Sequence, residues 1–192
     1  MRSDSHEYAT ESLQPAQAAK AVTLVELLVV AVVAGLAAMV VIPLAVEQRG
    51  LQLTHAARRI MADILYVQNQ AIHERTPQAL VFQTERGLYF YPSASNPEEP
   101  AIEPVSKKDY LILFGKACAD EQVQGQSHVA EFPSVALESA SFGGDSVLYF
   151  DWLGLPSAAD GTPLSGAGIK ISSGELFRTL TVETTTGRVT IN

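Results

Sequence analysis

One acidic side chain stands at the start of the longest apolar run of the sequence. Glu26 precedes residues 27–46, which contain no charged residue. Twenty helical residues extend about 30 Å, the thickness of the hydrocarbon core of a bilayer. A carboxylate beside such a core costs about 2.5 to 3.5 kcal/mol on insertion scales. The sequence therefore predicts a membrane-spanning helix in which Glu26 has a partner or a function. The alternative is an ordinary anchor with Glu26 at the headgroup boundary.

The other polar residues show no pattern of a catalytic or metal site. His55 and His73 would share a helix face but lie about 27 Å apart, too far to ligate one metal ion. Asp145, Asp151 and Asp160 could ligate calcium, but they lack the alternating oxygen ligands of a calcium-binding loop and are interpreted as turn residues. No Gly-x-Ser-x-Gly motif is present. We therefore predict no enzyme activity, no cofactor and no metal.

Two aromatic residues, Tyr149 and Trp152, flank Asp151 at the end of a predicted strand. They could form a recognition surface. Packing in the core or at its rim is the interpretation that we favour, because aromatic side chains bury large areas.

The composition limits the class of protein. With 192 residues and 47% hydrophobic content, the chain can form one globular domain beside the apolar run. Its formal charge of -8 argues against nucleic-acid binding, which depends on cationic side chains. Cys118 is the only cysteine, so no intrachain disulfide can form.

The residues on either side of the apolar run differ in pattern. Residues 1–21 are polar and of mixed charge, which predicts a disordered leader. Pro43 should kink the helix, because proline has no amide proton to donate. After the run, apolar residues recur at three- and four-residue steps and predict an amphipathic helix that continues to about Arg75 and ends before Pro77. These apolar residues are Leu53, Ala57, Ile60, Ile64, Val67 and Ala71.

The remaining residues predict a β-rich region with exposed loops between its strands. Residues 79–84 and 88–91 form a predicted hairpin around Glu85-Arg86-Gly87. Further strands are predicted at residues 110–114, 129–132, 147–151, 168–172, 179–183 and 188–191.

The sequence Ala21-Val22-Thr23-Leu24-Val25-Glu26 resembles the type IV prepilin signal, in which a membrane peptidase cuts after a small residue and the glutamate becomes the fifth residue of the mature chain. Two residues depart from the usual pattern: Ala21 stands in place of glycine, and Val22 in place of phenylalanine or methionine. The resemblance implies cleavage between Ala21 and Val22 and N-methylation of Val22. It also implies that Glu26 pairs with the amino terminus of a neighbouring subunit during assembly. Pro43 would be residue 22 of the mature chain, where pilin-like helices commonly carry a proline.

Weaker matches extend the resemblance to the GspH/FimT group, which comprises H-type minor pseudopilins of type II secretion and related minor pilins. These matches are Leu80-Val81-Phe82, Leu148-Tyr149-Phe150-Asp151 with Gly154, and Thr181-Val182 followed by Gly187-Arg188-Val189. The group implies an α+β, pilin-like fold, in which a long N-terminal membrane-spanning spine helix packs on an antiparallel β-sheet domain. The expected parts are a cleaved leader (1–21), a transmembrane half-helix (22–46), an amphipathic half-helix (47–76) and a β-rich domain (77–192).

The function implied by the resemblance is that of a minor pseudopilin, a structural subunit of the type II secretion pseudopilus. The alternatives are a minor pilin of a type IV pilus, with a role in assembly, adhesion or DNA uptake, and a membrane-anchored enzyme or binding domain. The expected partners are other pseudopilins or pilins, prepilin peptidase and the inner membrane, with no nucleic acid. The expected location is the inner membrane, crossed once, with the C-terminal domain on the periplasmic side.

Overall fold

The computed structural model describes residues 23–104, 106–115, 122–123, 126–127 and 129–192, without the side chains of residues 40–47, 122–123 and 126–127. The predicted leader, the predicted cleavage and methylation site at Ala21 and Val22, and Cys118 lie outside the described residues, as does the side chain of Pro43. The chain forms two compact units, Met1–Ile42 and Pro43–Asn192.

The helix α1 (Leu24–Glu74) begins after Thr23 and ends before Pro77, as the amphipathic pattern predicts. Its second part buries the predicted apolar side chains. All six are at most 1% exposed: Leu53, Ala57, Ile60, Ile64, Val67 and Ala71. Because a 3.6-residue period places these positions on one face, this face of α1 forms one side of the core.

Eleven strands follow α1 in the described part of the chain. They are β1 (Gln78–Gln83), β2 (Leu88–Phe90), β3 (Leu111–Leu113), β4 (Gln122–Val123), β5 (Gln126–Ser127), β6 (Ala136–Phe142), β7 (Val147–Phe150), β8 (Pro156–Ser157), β9 (Ala167–Ser173), β10 (Leu176–Val182) and β11 (Val189–Ile191). One antiparallel sheet has the order β3-β2-β1-β7-β8 and a second has the order β11-β10-β9-β6, while β4 pairs with β5.

Both larger sheets contribute side chains to the core that covers α1. In the first sheet, β1 pairs with β2 through the predicted hairpin and with β7 on its other side, where Leu80 lies opposite Leu148. Phe82 of β1 packs against Phe142 of β6, with ring centroids 5.3 Å apart. Ile169 and Leu180 of the second sheet are fully buried in the same core. The two sheets and α1 therefore share one hydrophobic core.

Most predicted strands are confirmed, with one exception. Residues 129–132 form no strand, because Phe132 makes only an isolated bridge to Phe114 and Val129 is 83% exposed. Four strands were not predicted: β6, and the two-residue strands β4, β5 and β8, which lie in predicted loops.

The predicted membrane segment is wrong. Within the described ranges, no helix offers a stretch that is both long enough and apolar enough to cross a membrane. The prediction rested on the apolar character of residues 27–46 alone, which indicates a need for burial but does not identify what provides it. The transmembrane half-helix at 22–46 and the single-pass inner-membrane location with a periplasmic C-terminal domain are corrected accordingly.

The predicted fold class is also wrong. A membrane-spanning spine helix packed on an antiparallel β-sheet domain was expected. Instead, α1 is divided between two compact units, and only its residues 53–71 supply the buried helix face that packs with two antiparallel sheets. The physical reason is that an apolar run specifies a buried surface but not the structure that buries it.

Candidate functional site

The first turn of α1 is capped by a side chain. Thr23 Oγ1 accepts a hydrogen bond from the backbone N–H of Glu26 at 3.2 Å, and Thr23 O accepts one from the N–H of Leu27 at 3.2 Å. Glu26 therefore occupies the third helical position, where the spacing Thr-x-x-Glu is that of a capping box and the helix dipole favours an acid. Glu26 thus has a local role in starting the helix, and its predicted role in assembly stays a prediction.

The apolar side chains that follow Glu26 are exposed. The larger ones in residues 24–39 are between 52% and 80% accessible to solvent: Leu24, Val25, Leu27, Leu28, Val29, Val30, Val32, Val33, Leu36 and Met39. A contiguous apolar surface of this kind marks a site of interaction, since soluble monomers rarely expose one. Glu26 lies at the amino-terminal end of this surface, which we call the N-terminal apolar surface (residues 24–39).

A second polar site, missed by the sequence analysis, is a carboxylate inside the core. Asp63 of α1 is 3% exposed. Tyr89 of β2 donates its hydroxyl proton to Asp63 Oδ2 at 2.6 Å, and Tyr110, next to β3, donates to Oδ1 at 2.8 Å. Arg59 Nε, one turn earlier in α1, lies 3.2 Å from Oδ2. The carboxylate therefore joins α1 to β2 and to the residue that precedes β3.

The surroundings of Asp63 set its protonation and that of its partners. Burial raises the pKa of the Asp63 carboxyl, while the hydrogen bond from Tyr89 and the charge of Arg59 oppose that shift. Burial, together with the charge of Asp63, raises the pKa of Tyr89 and of Tyr110 well above the ordinary value of a phenol. Both phenols therefore remain protonated donors at neutral pH. An enclosed carboxylate that accepts two such bonds is suited to holding elements together.

The three aspartates considered for calcium accept hydrogen bonds within their own turns. Asp145 Oδ1 accepts from the N–H of Ser146 at 2.6 Å, and Asp160 Oδ1 accepts from the N–H of Thr162 at 2.9 Å. In the described part of the chain, no group of three or more His, Cys, Asp or Glu side chains is arranged to hold a metal ion. The described geometry therefore points to turn stabilisation by these aspartates.

Asp151 organises the turn between β7 and β8. Its Oδ1 accepts from the N–H of Leu153 at 2.9 Å and of Leu155 at 2.8 Å. Trp152 in this turn is 55% exposed, so it does not pack in the core, and of the favoured interpretation only a position at the rim of the core remains for this residue; Tyr149 in β7 is partly buried. The turn thus presents an aromatic side chain to solvent.

Gln68 of α1 holds the same turn against the helix. Its Nε2 donates to the carbonyl oxygen of Gly154 at 2.8 Å and to that of Thr186 at 2.9 Å. Gly154 and Gly187 have φ values of 80° and 73°, and a Cβ atom on Gly187 would lie 2.5 Å from Gln68 Nε2. Glycine is favoured at both positions because the positive φ is strained for other residues and a Cβ atom would displace a side chain of α1.

Comparisons of the chain with protein-family models, with curated proteins and with solved structures found no match. The resemblance to the prepilin-like GspH/FimT group therefore rests on the residues of this sequence, chiefly Ala21 to Glu26.

A sequence signal for Asp63 does exist. Asp63 lies three residues after Ile60 and four before Val67, at the flank of the apolar stripe, with Arg59 one turn earlier. A charged pair at this flank is consistent with partial burial. The tyrosines that complete the site are distant in sequence and could not be assigned.

Proposed function

We propose that this chain is a non-enzymatic structural subunit, a minor pseudopilin that assembles with other pseudopilins of a type II secretion system. The observation that carries the proposal is the N-terminal apolar surface. Burying one large aliphatic side chain contributes about 1.5 to 3 kcal/mol, so packing this surface against neighbouring subunits would strongly favour assembly.

Glu26 gives this assembly its register. A carboxylate within an apolar contact is costly unless a positive charge neutralises it. Cleavage after Ala21 would free the amino group of Val22, and the amino terminus of one subunit would pair with Glu26 of the next. Only one axial offset between subunits brings the two charges together. At any other offset both charges would be buried without a partner.

The test begins with processing. The full chain is produced together with a prepilin peptidase, and the amino terminus is identified by mass spectrometry. We expect it at Val22, carrying a methyl group, and we expect Ala21→Leu to retain Met1 because the enlarged residue does not suit the cleavage site. An intact Met1 in the unaltered chain would refute the proposal.

The second part of the test is recovery of partners. The processed full chain, carrying an affinity tag, is expected to recover other pseudopilins. Recovery of type IV pilus subunits alone would instead place the chain in a pilus and refute the assignment to secretion.

A further inference from the structure

A cavity of about 650 Å³ lies where α1 ends and β1 begins, and the proposed function does not use it. Its walls are mostly apolar and include tyrosine, proline and alanine side chains. Sites for small molecules in proteins are typically cavities of about 300 to 1,000 Å³ with apolar walls and a few polar groups. We call it the Tyr149 cavity, and the lining residues that matter here are Glu74, Gln78, Ala79, Tyr91, Pro92 and Tyr149.

The walls of the Tyr149 cavity are fixed by backbone hydrogen bonds. In the pairing of β1 with β7, Ala79 lies opposite Tyr149, so a methyl group is the cross-strand neighbour of the tyrosine ring and leaves space beside it. The segment 92–101 forms another wall, and Ala101 N–H closes it by donating to Tyr91 O at 2.8 Å. A site with fixed walls loses little conformational entropy when a ligand enters.

The polar groups of the cavity are joined by hydrogen bonds. The Tyr91 hydroxyl donates to Gln78 Oε1 at 2.6 Å, and Gln78 Nε2 donates to Glu74 Oε2 at 2.8 Å. Gln70 Nε2 donates to the other carboxylate oxygen of Glu74. Both donors to Glu74 are neutral amides, and among the described residues no Lys, Arg or His side chain forms an ion pair with it. The negative charge of Glu74 is therefore available to a ligand.

The charges around the cavity indicate the sign of the ligand. Among the described residues that line it, Glu74 alone is charged. The wall segment 92–101 contains Glu98 and Glu99 and no basic residue. Arg75 follows Glu74 in the chain but does not line the cavity. The site is therefore negative, which favours a cation over an anion.

The apolar walls select the kind of cation. A metal ion needs several oxygen ligands, and a primary ammonium group is strongly hydrated, so neither suits walls of proline, alanine and tyrosine. An ammonium group that carries alkyl substituents presents an apolar surface together with its charge. Aromatic rings attract such cations through the negative face of the ring.

We propose that the Tyr149 cavity binds a small organic cation, an alkylated ammonium group that contacts the ring of Tyr149 and has Glu74 as its counter-charge. This binding site is independent of the N-terminal apolar surface and of assembly.

Choline is the probe, and its control is the neutral alcohol in which a carbon atom replaces the choline nitrogen, since that exchange removes the charge and keeps the shape. Saturation-transfer NMR of the methyl protons, titrated with the full chain, measures the dissociation constant of each. We expect choline to bind at least about tenfold more tightly, a difference of 1.4 kcal/mol. Equal binding of the two probes, or no binding of choline, would overturn the proposal.

Two pairs of variants locate the site. Glu74→Gln should weaken choline binding about tenfold, whereas Glu175→Gln, which removes the same charge from the turn between β9 and β10, should leave it unchanged. Tyr149→Leu should weaken binding, and Tyr149→Phe should preserve it because the ring remains. Urea unfolding shows whether each variant is folded. Equal losses in Glu74→Gln and Glu175→Gln, or unchanged binding by folded Tyr149→Leu, would show that choline does not bind in this cavity.

Vesicles of phosphatidylcholine distinguish the two sources of such a group. Sedimentation with the vesicles that is reversed by choline and lost in Glu74→Gln would identify a lipid headgroup as the ligand. Binding of choline without such sedimentation would identify a free cation.

Discussion

The contribution of the buried carboxylate to stability can be measured with a double-mutant cycle on Asp63 and Tyr89. Their hydrogen bond is 2.6 Å long, Tyr89 is fully buried and Asp63 is 3% exposed. A hydrogen bond to a charged group contributes about 1.5 to 3 kcal/mol. Tyr89→Phe should therefore lower the free energy of unfolding by about that amount. Asp63→Ala should lower it by about 3 to 5 kcal/mol, because it breaks a buried charged network.

The two changes should not add. With Asp63 replaced by alanine, the Tyr89 hydroxyl has lost its acceptor, so removing the hydroxyl costs almost nothing more. The coupling energy should therefore be about 1.5 to 3 kcal/mol. Urea unfolding of the full chain, followed by Trp152 emission, gives the four free energies. Tyr149→Phe, outside this network, is the control. Additivity within about 0.5 kcal/mol would show that the reasoning about this bond is wrong.

The same cycle has a pH dependence whose sign follows from the raised pKa of Asp63. Because the folded state binds this proton more tightly than the unfolded state does, the protonated carboxyl adds a further favourable contribution, which is fully present below the unfolded pKa of about 3.9. It is lost as the pH rises through the folded-state pKa. The stability difference between the unaltered chain and Asp63→Ala should therefore shrink on going from acid toward neutral pH. A difference that grows over that interval would contradict the assigned direction.

Three further predictions concern other residues. Glu26→Ala should weaken incorporation into assemblies, and so should Glu26→Gln, because glutamine keeps the capping-box spacing but lacks the charge; full incorporation of Glu26→Gln, measured by co-purification, would assign Glu26 to the cap alone. Gly187→Ala should lower the free energy of unfolding in urea by about 1 to 3 kcal/mol, more than Gly161→Ala does. Both glycines have a positive φ, but a Cβ atom would meet Gln68 at Gly187 and would have nothing within 4 Å at Gly161. Burial, with the charge of Glu74, raises the pKa of Tyr91 to about 12. The stability due to its neutral phenol should therefore be present below pH 10 and lost as the pH rises through about 12. Tyr91→Phe should remove that transition from a phenolate absorbance titration.

The sequence was most informative where a short-range pattern repeats. The six apolar positions from Leu53 to Ala71 predicted the buried face of α1, and Glu85-Arg86-Gly87 predicted the β1–β2 hairpin. By contrast, β6 has polar residues at exposed positions and a register shift between Leu137 and Ser139, which breaks the two-residue alternation. Strand β8 is only two residues long, too short to show a period.

The membrane prediction failed for a different reason. Hydropathy counts apolar residues along the chain, and it measures the need for burial without identifying what provides it. The buried site at Asp63 was not predicted, because Tyr89 and Tyr110 are 26 and 47 residues from Asp63 and only the tertiary structure brings them together. Gly154 lies close to Ile72 of α1, and no local pattern of the sequence encodes that contact.

The two hydrogen bonds of Gln68 can form only late in the synthesis of the chain. Their acceptors lie 86 and 118 residues later in the sequence. At about 5 to 20 residues per second, synthesis reaches Thr186 roughly 6 to 24 s after Gln68. During that interval α1 lacks the later strands that complete the core around Ile60 and Ile64. Nascent chains therefore expose the N-terminal apolar surface and the apolar face of residues 53–71 at the same time. A chaperone that binds apolar helices has its target on α1 until β10 has been synthesised.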